Sequence, residues 1–342
     1  MPELTADSST SVRIAVVGAG RIGAVHARTI RDHPRAALVL IADPDAAAAA
    51  RLADTLGADS TDDADAALTS DAIDAVVVAS PTPLHVPHTL TAVGAGSSVL
   101  MEKPVALEVA AVDACIEALG DRADQVMVGF NRRFDPSVAE VRARVRAGDI
   151  GTVEQVTIIS RDPAPPPPGY LQVSGGIFKD MTIHDFDMAR HLLGDVVSVH
   201  AFGQHLDQEV DDLYDAATLT LTSSTGAVAV IVNSRHSVAG YDQRIEVFGS
   251  AGTLEVGNQR STSVRLHDAG GTEQAGPFLP FFLERYQRAY AAELDAFVEA
   301  VRTGTPQSPS IADGREALVL AEAAAESART GTTITLNQEV AS

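Results

Sequence analysis

Lys103, Asp180 and His184 have the side-chain types and the placing to move a proton and polarise an oxygen. In "GGIFKDMTIHDFDMARHLLG", residues 175–194, Asp180 and His184 stand one helical turn apart, and Asp187 and His191 continue a three- and four-residue rhythm that puts side chains on one helix face. A neutral imidazole, whose ordinary pKa is about 6.5, can take a hydroxyl proton at neutral pH without a metal. Asp180 could orient that ring or accept hydrogen bonds from a neighbouring substrate hydroxyl. Lys103 closes the apolar run "SSVLMEKP" (97–104), and Pro104 imposes an extended backbone on it. A lysine at the end of an apolar strand needs a partner. It either pairs with Glu102 or faces a ligand, where its charge would polarise a reacting oxygen. Oxidation of a secondary alcohol needs such a base and a hydride acceptor beside the carbinol carbon.

The first half offers a place for the acceptor. "VRIAVV" (12–17) reads as a strand, "GAGRIG" (18–23) as a glycine turn, and the apolar spacing of Ile22, Val25 and Ile30 as a helix. Gly18 permits the tight turn, Gly20 lets a pyrophosphate approach, and Gly23 lets helix and strand pack closely. Asp43 ends the next apolar run, 20 residues after Gly23, where it can accept hydrogen bonds from an adenosine ribose or cap a helix starting near Pro44. Apolar strands then alternate with helices: "AIDAVVVAS" (72–80), a helix near 84–95, "SSVLMEKP", a helix near 107–120, and "QVMVGF" (125–130). That order describes a parallel sheet covered on both faces, with its ligand at the carboxyl strand ends. His85 and His88, in "PTPLHVPH", read as helix-start or surface residues.

After a helix near 135–148 the pattern changes to long alternating runs at 152–160, 196–206, 215–224, 226–234, 242–250 and 260–267, an open and mainly antiparallel sheet. "PAPPPPGY" (163–170) reads as a stiff loop over a cleft or as a recognition segment for another protein. Around the Asp180 helix, Met181, Met188 and Leu192 form an apolar stripe with Ile183, Phe186 and Leu193 beside it. The expected architecture is therefore α/β: a doubly wound dinucleotide-binding domain at 11–130 and a substrate-binding and oligomerisation α+β domain at 131–342, the latter closed by helices near 280–303 and 313–329.

Composition narrows the function. The net charge is −21, from 25 Lys+Arg against 46 Asp+Glu, which opposes binding to nucleic acid or an anionic membrane. The opening "MPELTADSSTS" lacks the pattern of a signal peptide, and no apolar run approaches the roughly 20 residues of a membrane span, so a cytoplasmic location is expected. Cys115 is the only cysteine, which excludes an intrachain disulfide and a cysteine-based zinc cluster; no spacing suggests a metal, and its apolar neighbours point to an inert thiol.

"GAGRIG", "EKP" and "DMTIH", in that order and spacing, resemble the glucose–fructose oxidoreductase and inositol dehydrogenase family over nearly the whole chain. "SRDPAPPP", "GGIFKDMTIHDFDMAR" and "NSRHSVAGYDQRIEVFGSAG" are similar to its inositol 2-dehydrogenase branch. The resemblance implies a Rossmann domain that binds NAD through Gly18, Gly20, Arg21, Ile22, Gly23, Asp43, Glu102 and Lys103. It implies a catalytic trio of Lys103, Asp180 and His184, with Asp162 and Tyr241 helping to hold a neutral polyol, and a homotetramer paired through the open sheet. The implied reaction is oxidation of myo-inositol to scyllo-inosose. Another inositol isomer or a pyranose is the alternative substrate, and a non-catalytic dinucleotide sensor the alternative class. Ala239 departs from the aromatic residue often found two positions before the tyrosine.

Overall fold

The computed structural model describes residues 11–171, 173–206 and 213–336; residues 1–10 of the polar opening segment lie outside them. The chain divides into two compact units, Met1–Asn131 with Ala289–Arg315 and Arg132–Arg288 with Glu316–Ser342.

The first unit alternates β1 (Val12–Val17), α1 (Arg21–Asp32), β2 (Ala36–Ala42), α2 (Ala46–Leu56), β3 (Asp59–Thr61), α3 (Ala64–Leu68), β4 (Ala75–Val78), α4 (His85–Gly94), β5 (Ser98–Met101), α5 (Val109–Leu119) and β6 (Val126–Val128). Its sheet runs β3-β2-β1-β4-β5-β6, with every pair parallel. A sheet covered on both faces leaves no polar side to a central strand. Accordingly Ile14, Ala15 and Val16 of β1 and all of β4 are fully buried. The strand order reverses between β1 and β4, and that switch opens a crevice beyond their carboxyl ends.

The second unit contains α6 (Pro136–Ala147), β7 (Val153–Arg161), α7 (Pro168–Leu171), a π-helical turn (Phe178–Thr182), α8 (Ile183–Leu193), β8 (Val196–Gln204), β9 (Ala216–Ser223), β10 (Val228–Ser234), β11 (Asp242–Gly249) and β12 (Gly252–Val256). A hairpin of β13 (Arg265–Asp268) and β14 (Gly271–Ala275) follows, then α9 (Phe282–Arg285). The strand expected over 260–267 is thus mostly irregular, and β12 is an addition that turns back on β11. With β15 (Ile334–Thr335) the main sheet runs β12-β11-β7-β10-β9-β8-β15. It is antiparallel except between β7 and β10, which run parallel across the long excursion through α8. Alternate residues of β10 are buried, and α8 packs against β7 and β10.

Residues 289–315 cluster with the first unit although they follow β7 to β12 of the second sheet in the chain. Helix α10 (Gln287–Thr303) buries Ala289, Leu294, Phe297 and Val298, and its Asp295 and Glu299 accept from Arg35. Helix α11 (Ile311–Thr330) follows. Among the described residues no helix is long and apolar enough to cross a membrane, and no group of three or more His, Cys, Asp or Glu could hold a metal ion. Burial pushes the Cys115 thiol up to about 11, so it stays protonated near neutral pH.

Candidate active site

The glycine turn is crowded where backbone meets backbone and open where an anion would approach. A Cβ on Gly18 would lie 2.5 Å from the carbonyl oxygen of Ala79, and one on Gly23 would collide with the Gly18 carbonyl. A Cβ on Gly20 would meet nothing within 4 Å, and no side chain caps α1. Arg21 and Ile22 open that helix, whose N-terminal dipole favours a phosphate. Asp43 follows β2; its Oδ2 accepts from the Ala19 N–H at 2.7 Å and its Oδ1 from the Asp45 N–H at 2.9 Å. Helix α2 is capped by Asp45, whose side chain accepts from the N–H groups of Ala47 and Ala48, so capping is not the task of Asp43. A carboxylate offers about four lone-pair sites, which leaves Asp43 acceptor capacity beside the turn. These residues fit a dinucleotide.

Glu102 and Lys103 follow β5 on the same edge. The Glu102 carboxylate takes a hydrogen bond from His26 Nε2 at 2.8 Å and one from the Lys103 backbone N–H at 3.2 Å. Burial raises this carboxyl group's pKa, but His26, Lys103 and His85 together hold it below its ordinary value. His85, expected at a helix start or the surface, begins α4 but is buried: its Nδ1 lies 2.8 Å from the Pro104 carbonyl oxygen and its Nε2 2.8 Å from that of Ser80.

Glu293 of α10 was not anticipated. It is fully buried, and neither carboxyl oxygen has a hydrogen-bond partner among the described residues. Burial first, and then the charge of Glu102, push its pKa well above the ordinary carboxyl value. A carboxyl raised on folding contributes stability that is complete below its unfolded pKa and is lost as pH rises through the folded one, by about 1.4 kcal/mol per pH unit between the two. Glu293→Gln removes that dependence. In thermal melts, the melting temperature of E293Q relative to wild type should therefore rise between pH 5 and pH 8, and a constant difference would refute the assignment.

In the second unit, Gly175 and Gly176 both have φ near +80°, a conformation that side chains disfavour, and they turn the chain into the π-helical stretch. Asp180 sits in that wider turn and His184 in the first turn of α8. Such turns recur at functional sites. Asp180 is held from two sides: Tyr170 of α7 donates to its Oδ1 at 2.8 Å, and Arg235 to its Oδ2 at 3.0 Å. The proline-rich stretch thus leads into the short helix that carries Tyr170. Arg235, which is buried, lies in the motif containing Tyr241, where local sequence gives no sign of its distant partner.

The expected polar ladder divides. Asp180 and His184 are half-buried, whereas Asp187 is buried and clamped by Arg133, which donates through Nε and Nη2. Asp185, beside His184, is fully buried and accepts from Arg132 at 2.8 Å, Ser160 at 2.7 Å and Asn233 at 2.7 Å. "NRRF" (131–134), which follows the last strand of the first sheet, is the signal that could have found these pairs, because arginines so close to apolar strands need acids. Asp162 is half-buried after β7, and its N–H donates to the Ser234 carbonyl. Tyr241 is buried against Phe281 and Tyr286, its hydroxyl 3.5 Å from Arg132 Nη2. Ala239 is exposed.

Two family models match the chain: "Oxidoreductase family, NAD-binding Rossmann fold" over residues 12–130, and "GFO/IDH/MocA C-terminal domain" over residues 138–255. An inositol 2-dehydrogenase of Rhizobium meliloti (strain 1021) is 44% identical over 321 residues, 93% of this chain and 97% of that protein. The crystal structure of a myo-inositol dehydrogenase from Corynebacterium glutamicum ATCC 13032 superposes with a TM-score of 0.93 at 51% identity, covering 96% of this chain and 99% of that one. A Lactobacillus casei myo-inositol dehydrogenase, solved with NAD(H) and myo-inositol, superposes with a TM-score of 0.87 at 25% identity, covering 96% and 97%.

Proposed function

Because the chain belongs to the GFO/IDH/MocA oxidoreductase family, we propose that it oxidises myo-inositol at C2 to scyllo-inosose with NAD. The observation that carries this reading is the Asp180 carboxylate, fixed by Arg235 and Tyr170 one turn from His184. A non-catalytic sensor has no use for an acid and a base so arranged.

His184 takes the C2 hydroxyl proton, and Asp180 accepts from a neighbouring hydroxyl and keeps the ring in register. Lys103 donates to the reacting oxygen and stabilises the charge that grows as its proton leaves. Bound NAD supplies the acceptor for the C2 hydride. Gly18, Gly20, Arg21, Ile22, Gly23, Asp43, Glu102 and Lys103 hold the cofactor, while Asp162 and Tyr241 bind ring hydroxyls. Asp43 favours NAD because its carboxylate accepts from ribose hydroxyls and repels a 2′-phosphate. The same proposal includes a cytoplasmic homotetramer. Phe202 and Phe248, both exposed, lie on the outer face of the second sheet and support pairing between copies there.

Steady-state turnover on myo-inositol, scyllo-inositol, chiro-inositol and glucose, with NAD and NADP in parallel, tests the proposal. Myo-inositol with NAD should be fastest. A sugar that outpaces all three inositols overturns the substrate, and equal efficiency with NADP overturns the role of Asp43.

A further inference from the structure

The "EKP" tripeptide is held at both ends by buried histidines, which the reaction itself does not use. On one side His26, in α1 just beyond the glycine turn, donates to the Glu102 carboxylate, which in turn accepts from the Lys103 backbone N–H. Gly129 makes room for this carboxylate: a Cβ there would sit 3.2 Å from the Glu102 Cδ. His26 is itself packed edge-on against Tyr290, with ring centroids 5.5 Å apart. On the other side the His85 ring lies between the carbonyl oxygens of Pro104 and Ser80. Ser80 borders the glycine turn, since a Cβ on Gly18 would lie 3.0 Å from the Ser80 nitrogen. His26 thus ties a neighbour of Lys103 to the helix behind the glycine turn, and the His85 ring, whose burial favours its neutral form with a single N–H, lies against both the Pro104 carbonyl and Ser80 and donates to one of the two carbonyls.

We propose that His26 and His85 are positioning residues for Lys103, His26 acting through the Glu102 carboxylate and His85 through the Pro104 carbonyl. A displacement of about 1 Å at a reacting group lowers turnover on the order of 10²-fold, so two hydrogen bonds that fix the lysine backbone have a large lever. A charge-assisted bond such as that from His26 to Glu102 is also stronger and shorter than a neutral one. The role rests on the dehydrogenase reading above, in which Lys103 touches the reacting oxygen.

The test compares wild type, H26L, H26Q, H85L, K103M and the double variants H26L/K103M and H85L/K103M. The readouts are kcat, the NAD dissociation constant, the melting temperature and the isotope effect with C2-deuterated substrate. H26L and H85L should each lower kcat by roughly 10–100-fold and raise the isotope effect, because a misplaced lysine slows the chemical step, while NAD affinity, carried mainly by the glycine turn and Asp43, falls far less. H26Q, whose amide can still donate to Glu102, should recover most of the loss. In the K103M background neither leucine variant should lower kcat further, since residues acting through one group are not additive. Losses that multiply with K103M, or that fall on NAD affinity alone, or an H26Q as impaired as H26L, overturn the proposal. Should H26L not fold, E102Q and E102Q/K103M carry the same comparison, and should H85L not fold, H85Q and H85Q/K103M do. An inactive wild type would instead sink the dehydrogenase reading, so the two failures are distinct.

Discussion

His184→Ala should lower kcat on myo-inositol by about 10²–10⁴-fold, the usual loss when a general base is removed, and leave NAD affinity nearly unchanged. The separation follows from where the groups reside. The glycine turn and Asp43, which hold the dinucleotide in the proposed mechanism, belong to the first unit, and His184 lies in α8 of the second. Asp180→Asn should show a similar pattern by a different route, because the amide no longer matches the donors of Arg235 and Tyr170. K103M should also be impaired, yet combining it with H184A should cost far less than the product of the two, since both act on one proton transfer. Stopped-flow turnover with a parallel NAD titration measures both quantities. An H184A enzyme with near-normal kcat would return His184 to a packing role.

Arg132→Leu should strongly destabilise the second unit. It leaves Asp185 fully buried without its ion-pair partner, and breaking such a pair by removing one side costs about 3–5 kcal/mol. At roughly 2–4 °C per kcal/mol for a protein body of this size, the fall in melting temperature should be on the order of 10 °C. Burial already raises the Asp185 pKa against the opposing pull of Arg132, Ser160 and Asn233. Losing Arg132 removes part of that pull and raises it further. A carboxyl raised in the folded state gives up stability as pH climbs, so the R132L deficit should be smaller at pH 5 than at pH 8. The double variant R132L/D185L should be more stable than R132L, because no buried charge is then left alone. A pH-independent deficit, or a double variant at least as unstable as the single, would show that the network contributes only packing. Because Asp185 adjoins His184 and ties α8 to Ser160 of β7 and Asn233 of β10, R132L should also reduce kcat.

Local pattern was enough for much of this protein. The run from "VRIAVV" through "GAGRIG" to Asp43 determined a strand, a turn and a helix start, because those choices depend on residues a few positions apart and on backbone sterics. Alternation likewise marked the strands of the second sheet, since a half-covered sheet must alternate. Asp180 and His184 stood out by spacing alone. Tertiary structure decided what long-range pairing and burial control. It chose Asp45 over Asp43 as the cap of α2, and it ran β7 parallel to β10 although the sequence between them is long. It sorted three acids of one helical region into different roles: Asp180 goes to Arg235, Asp185 to Arg132 and Asp187 to Arg133. No periodicity distinguishes these, because a buried charge is settled by whichever partner lies within about 3 Å, and the partners here are 53 to 55 residues away in the chain. The same reason hid His26 and Glu293: helix faces are legible in sequence, but the charge environment of a buried face exists only once distant elements have packed.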